Sequence, residues 1–373
     1  MALADFIFYY PVYAVLFAQH GLSTSQISSL FVIWSATAVL LEVPSGALAD
    51  VVSRRVLLVA SALLSGGGFA AWTLFPSYPA FAVGFVLWGV GSSLSSGTYE
   101  AYVYDELVAH DAVRSYQRII ARGRAGSFVL NLAATLLAAV LLPLGGFALV
   151  GWASVATCVV QAAVALSLPT PTRARSTRTT GYVGMLRSGL REARHSVPVR
   201  GAVLVAALLP GFLAFDEYFP LLATDLGSPT DVVPLLIALT VAAQAVGAAL
   251  AERARAGVIV PSLVLAAVLL GAGALSAHPA GFVPIAVGYG LLQLTIVIAE
   301  TRLQDLIEGD ARATVTSVAG LLSELFAIVL FVGFAVGAIW LSVTVLVAAL
   351  AGWLLLLAAL LPRWLPSTRR LPR

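Results

Sequence analysis

Long apolar runs alternate with short polar turns along this chain, and most runs reach the roughly 20 residues that a helix needs to cross a hydrocarbon core of about 30 Å. The pattern predicts spans near 3–18, 26–49, 56–75, 80–105, 117–141 and 148–168. A polar segment follows, and the pattern resumes near 200–224, 232–252, 258–277, 281–304, 314–337 and 341–361. Gln19-His20-Gly21, Pro76-Ser-Tyr-Pro79 and Pro143-Leu-Gly-Gly146 mark turns between spans. Continuous apolar runs favour helices over barrel strands, which alternate polarity in short stretches. The expectation is an all-α integral membrane protein with twelve transmembrane helices: a six-helix bundle over 1–168, a linker over 169–199 and a second bundle over 200–373.

Composition sharpens this picture. Of 373 residues, 60% are hydrophobic and 10% charged, with mean hydropathy +0.97, which leaves no room for a sizeable soluble domain. The first run carries Asp5, Pro11 and several tyrosines and lacks a small-residue cleavage site, so it reads as a span and not as a signal peptide. The one cysteine, Cys158, lies in an apolar run and excludes an intrachain disulfide framework.

All 21 basic residues are arginine. Without lysine the chain has neither a phosphate-cradling P-loop nor a retinal Schiff base, so no cofactor is expected and an ion gradient, a proton gradient above all, is the expected energy source. The net charge of +3 forms no soluble basic face, which argues against nucleic acid. Every arginine sits at the ends of even-numbered spans, at the starts of the spans that follow, or in the linker. That one-sidedness places both termini in the cytoplasm.

The two halves echo each other. Glu100-Ala-Tyr-Val-Tyr-Asp105 recurs as Glu300-Thr-Arg-Leu-Gln-Asp305, and Gly46-Ala-Leu-Ala-Asp50 has a degenerate copy in Gly247-Ala-Ala-Leu-Ala-Glu252-Arg253. After the second span Gly46, Leu48, Asp50, Arg54 and Arg55 match the signature G-x-L-x-D-x-x-G-R-[RK], with Ser53 at the second glycine and Val51 at the usual basic position. Over essentially its whole length the chain resembles the major facilitator superfamily of secondary transporters, two parallel six-helix halves joined by a basic linker. The resemblance implies that Asp50 lies against the start of the eleventh span, that Arg54 pairs with Asp105, and that this cluster is a cytoplasmic gate in a transporter acting as a monomer. Gly46 and Ala49 suit close approach of a neighbouring helix. The plainer reading of Arg54 and Arg55 is a positive-inside anchor.

Ionisable side chains inside spans are costly and are functional candidates by default. Glu42, two turns before Asp50, lies about 12 Å deeper at ~1.5 Å per residue. For Glu100 a structural pairing with Arg122 or Arg124 is the competing explanation, and for Glu300 a buried pair with Arg302. Glu324 falls near the middle of its span and is placed to load and release a proton. Asp216 and Glu217 sit beside Tyr218 in the outer half of the seventh span, where an α-helix would turn only one of them towards a cavity. Tyr9, Tyr13, Trp34, Tyr99, Phe215 and Tyr289 are candidates to line an apolar cavity. No His, Cys or carboxylate group has metal-ligand spacing, and no nucleophile and base pair marks an enzyme.

Glu42-Val-Pro-Ser-Gly, Ser96-Gly-Thr-Tyr-Glu100-Ala and Asp216-Glu-Tyr-Phe-Pro220 are similar to a bacterial subgroup often labelled drug efflux. That likeness implies proton-coupled export of small amphipathic or drug-like substrates across the plasma membrane. The glycine-proline signature of many proton-coupled exporters, G-P-x-x-G-G, is missing from the fifth span, which reads Gly126-Ser-Phe-Val-Leu-Asn131. An importer or facilitator of a metabolite, and a non-transporting sensor or assembly partner, remain as alternatives.

Overall fold

In the first and seventh spans the helix is interrupted, and both interruptions follow from proline. The structure is a computed structural model that describes residues 1–169, 197–254, 256–306 and 312–364, with some side chains, including those of Asp50 and Asp305, outside the described set. Near the amino terminus a 3-10 turn, Ala2–Asp5, leads through a non-helical stretch into the short helix α1, Tyr13–Gln19. Pro11 has no N–H and disfavours helical geometry at Tyr10, so a continuous helix over 3–18 does not form. The backbone N–H of Tyr9, freed by the break, donates to Ser154 Oγ at 3.1 Å.

The helices that follow are α2 (Thr24–Val51), α3 (Arg54–Leu74), α4 (Tyr78–Ser95), α5 (Thr98–Ala109) and α6 (Tyr116–Ser167). In the second half they are α7 (Val197–Leu213), α8 (Phe219–Asp225), α9 (Val233–Ala251), α10 (Ile259–Ala274), α11 (Phe282–Leu306), α12 (Arg312–Gly337) and α13 (Val343–Trp364). Among the described residues there is no strand. Nine described stretches are long and apolar enough to cross a membrane. The longest holds the expected turn between the fifth and sixth spans, where Gly145 and Gly146 leave helical geometry. With the shorter apolar α10 and the interrupted stretch Ala2–Gln19, these correspond to the twelve expected spans.

The seventh span runs as α7, a 3-10 segment Ala214–Tyr218, and α8. Pro220 cannot give an N–H to the Asp216 carbonyl, and that oxygen accepts from Phe219 N–H in the tighter 3-10 pattern. The fourth span breaks too: Gly97, with φ of 67°, separates α4 from α5. A left-handed residue costs glycine little and ends the helix there.

The chain divides into two compact units, one holding α1 to α6 with Thr230–Ala238, the other the remainder of the described second half. In the first, α3 packs on α4 and α6, and α2 packs on α4. Its core is aromatic, with Phe17, Phe31, Phe69, Trp72, Phe81 and Phe85 all fully buried. Trp72 Nε1 donates to the Phe81 carbonyl at 3.0 Å, satisfying the one polar atom of its ring. In the second, α7 packs on α11 and α12, and α10 on α11 and α13. The linker residues 170–196 lie outside the described residues, as does the chain from 365 onward.

Repeat symmetry is visible in the caps. Gly21 (φ 85°) and Gly227 (φ 87°) both follow seven-residue helices. Each closes its helix with paired bonds, Gly21 N to Ala18 O and Leu22 N to Phe17 O in one half, Gly227 N to Thr224 O and Ser228 N to Ala223 O in the other. In this register Tyr10 is equivalent to Asp216 and Pro11 to Glu217.

Candidate functional site

Asp216 and Glu217 occupy the 3-10 segment of the seventh span, and both are half-buried. A 3-10 turn has about three residues per turn, which separates adjacent side chains by about 120°. Asp216 Oδ2 accepts a hydrogen bond from Tyr289 Oη at 2.6 Å, joining the break to α11. Tyr289 is 1% exposed and packs edge-on against Phe215 and Phe219 at ring distances of 5.8 and 5.1 Å. Among the described residues no side chain hydrogen-bonds to Glu217. One carboxyl group is therefore held and its neighbour is free to change partner. In the first half the equivalent residue, Tyr10, donates its hydroxyl to the Ala4 carbonyl at 3.2 Å and stacks on Trp88 at 5.4 Å.

At the other candidate cluster, Arg54 forms an ion pair with Asp105 and also donates to the Ala101 carbonyl. The pair ties the start of α3 to α5, both in the first unit. Tyr102, one turn away, donates to the Pro169 carbonyl at 3.0 Å and fixes α5 to the end of the sixth span. Asp105→Ala leaves a half-buried guanidinium on a single carbonyl. The expected loss is about 2 kcal/mol, below the roughly 3–5 kcal/mol of a fully buried pair because the Arg54 side chain is 21% exposed. Thermal unfolding of the purified protein, with His110→Ala of the His110–Glu106 contact, whose histidine is 73% exposed, as the unaffected control, measures it.

Several expected arrangements are absent. Gly46 is exposed, and a Cβ built there meets nothing within 4 Å, so no helix approaches closely at that glycine. Its echo Gly247 makes the close approach instead, with a Cβ position 2.0 Å from the Gly290 carbonyl oxygen. Neither Arg122 nor Arg124, both exposed, pairs with Glu100. The break at Gly97 puts Glu100 in the first turn of α5, where unbonded N–H groups favour an acid, and the cation acting on it is the amino group of Met1. Glu300 is exposed and Arg302 half-exposed, and residues two apart on a helix do not face each other, so the buried pair does not form.

Glu42 is half-buried in α2. Glu324, near the middle of α12, is exposed, Arg55 is half-buried beside Arg54, and the Asp50 side chain lies outside the described residues. Of the aromatic candidates, Tyr9, Tyr13, Phe215 and Tyr289 are buried within their own units. Trp34 and Tyr99 are half-exposed. Among the described residues no group of three or more His, Cys, Asp or Glu could hold a metal ion.

The sequence profile of the Major Facilitator Superfamily matches residues 1–331. The chain belongs to this superfamily. Solved structures with the same fold include the nucleoside transporter NupG, at 12% identity and TM-score 0.73 over 98% of each chain. A bacterial homolog of the human lysosomal transporter Spinster aligns at 14% identity and 0.73, over 96% of this chain and 94% of that one. A D-xylose-proton symporter aligns at 15% and 0.68, over 99% and 97%. At such identities the likeness is one of fold. No curated protein sequence matches the chain at a significant level. The superfamily is one of multi-pass membrane transporters, and family and fold point to transport of small molecules.

Sequence reasoning missed the paired helix breaks, although Pro11 and Pro220 were the available signal. It also gave Asp5 no role. Asp5 lines a polar cavity inside the first unit, together with serines from two helices.

Proposed function

We propose that this superfamily member is a proton-coupled secondary transporter that exports small amphipathic molecules. It works as a monomer in a bacterial plasma membrane, with both termini cytoplasmic. The observation that carries the reading is the Asp216–Glu217 pair on the interrupted seventh span, one carboxyl group bonded to Tyr289 and the other unbonded. Interrupted helices in corresponding positions of two repeats are where transporters of this kind place substrate and coupling ions. A carboxyl group inside a membrane protein is retained at a cost of a few kcal/mol, which a proton-exchange role explains. The efflux-like motifs around Glu42, Glu100 and Asp216 support the direction, and Asp50 and Arg55 form the cytoplasmic gate, braced by the pair of Arg54 with Asp105.

Proteoliposomes with an imposed pH gradient and a panel of lipophilic cationic dyes test this. Dye movement opposite to proton flow is the expected result. Movement in the same direction as the protons replaces export with symport, as in the D-xylose-proton symporter of the same fold. Flux indifferent to the gradient removes the coupling, and absence of flux with every dye favours the sensor reading. In an efflux-deficient host Asp50→Asn abolishes the resistance conferred by the wild type.

A further inference from the structure

Inside the first unit lies a cavity of about 210 Å³ that no part of the transport reading uses. It is lined by Asp5, by Ser61 and Ser65 of α3, by Ser92 and Ser95 of α4, and by Gln161 of α6. Tyr10, Phe69 and Trp88 supply aromatic surface. At ~30 Å³ per water the space equals about seven waters, and it falls below the roughly 300–1,000 Å³ of pockets for drug-sized ligands. A small ligand fits it, and an amphipathic drug does not.

Three of the four serine hydroxyls that line this cavity are unspent. Serines in helices normally bond back to a carbonyl one turn earlier, and Ser93 and Ser95 do so, to the carbonyls of Gly89 and Ser92. The hydroxyls of Ser61, Ser65 and Ser92 and the amide of Gln161 make no hydrogen bond among the described residues. Ser61 is 5% exposed and is one of the residues that line the cavity. Asp5 makes no ion pair among the described residues, and no arginine or histidine lines the cavity. Its polar neighbours are the Ser127 hydroxyl and the amino group of Met1.

A carboxylate without a contact ion pair can take a cation, and the walls decide which kind. A dehydrated metal ion needs a tight cage of oxygens, whereas this space would leave it hydrated, and indole and phenyl faces offer a metal no ligand. An organic ammonium brings its own N–H donors, which suit a carboxylate and serine oxygens. The Trp88 ring is covered by Tyr10 at 5.4 Å and by Trp34 at 4.9 Å, which leaves Asp5 to hold the charge. Four serines and an amide then favour a ligand that carries hydroxyl groups.

We propose that the amino-terminal bundle contains a binding site of its own for a small hydroxylated ammonium compound, an amino alcohol, with its charge on Asp5 and its hydroxyls on the serines. The site is independent of the proton-coupling assignment, because every lining residue lies in the first unit.

Serinol and glycerol are nearly isosteric and differ in an ammonium for a hydroxyl, so calorimetric titration of the purified full chain with each, in an amine-free buffer, isolates the charge. Serinol is expected to bind saturably and at least about tenfold tighter than glycerol. Asp5→Asn removes that preference, and Ser92→Leu fills the cavity and abolishes both. Equal affinities in the wild type overturn the proposal, as does unchanged serinol binding in Asp5→Asn or tighter competing binding of sodium chloride. The wild-type comparison decides the matter even if Asp5→Asn does not fold. A Glu217→Gln protein that has lost proton-driven transport should bind serinol as the wild type does, which separates failure of this site from failure of the coupling reading.

Discussion

Glu217→Gln is expected to lower pH-driven transport at least about a hundredfold while substrate exchange across the membrane continues. Glutamine keeps the shape and polarity of the side chain but has no proton to give up, so a carrier that must load and unload one is stranded in a single protonation state. Exchange of labelled for unlabelled substrate needs no net proton movement and should survive. Asp216→Asn is expected to act more mildly. Its hydrogen bond from Tyr289 at 2.6 Å assigns it to orienting the broken segment, and asparagine still accepts that bond. Tyr289→Phe, which removes the donor, should then resemble Asp216→Asn. Wild-type pH-driven flux in Glu217→Gln would sink the assignment, and loss of exchange together with flux would reveal a binding role instead.

Gly247→Ala is expected to be the most damaging single methyl group among these variants. Its Cβ would lie 2.0 Å from the Gly290 carbonyl oxygen, and the obstacle is backbone on a packed helix, not the movable end of a side chain. Overpacking typically costs about 1–3 kcal/mol, and a backbone clash of this depth belongs at or above the top of that range. Gly46→Ala, at the position that echoes it, meets nothing within 4 Å. Alanine there gains up to about 1 kcal/mol of helix propensity. The two variants should move the melting temperature of the purified protein in opposite directions. A fall of equal size in both would contradict the asymmetry.

That asymmetry shows where sequence reasoning reached and where it stopped. The spans were legible because each must be long and apolar to cross a bilayer, and length and hydropathy are properties of one segment at a time. The arginines were legible for the same reason. Close packing is a property of two segments: Gly46 and Gly247 stand in similar strings, and only the presence of Gly290 opposite one of them decides which glycine is needed. Glu100 has the same lesson, since its environment is set by the left-handed turn at Gly97 and not by the arginines that follow in sequence. Pro11 and Pro220 did carry the helix breaks in plain view, but apolar neighbours such as Phe8, Tyr9 and Phe219 sustain the hydropathy of a continuous helix across them. Asp5 and the serines of α3 and α4 were illegible because they come together only in three dimensions.

The ion pair of Arg54 with Asp105 has a mechanical consequence. Both partners belong to one compact unit, so movement of that unit as a body leaves the pair made, and it works as a strut, not a latch. It holds the ends of α3 and α5 at a fixed spacing beside the turn after α2. A cross-link engineered between those two helix ends should therefore be silent in transport, and a spin-label pair placed on them should report one distance throughout the cycle.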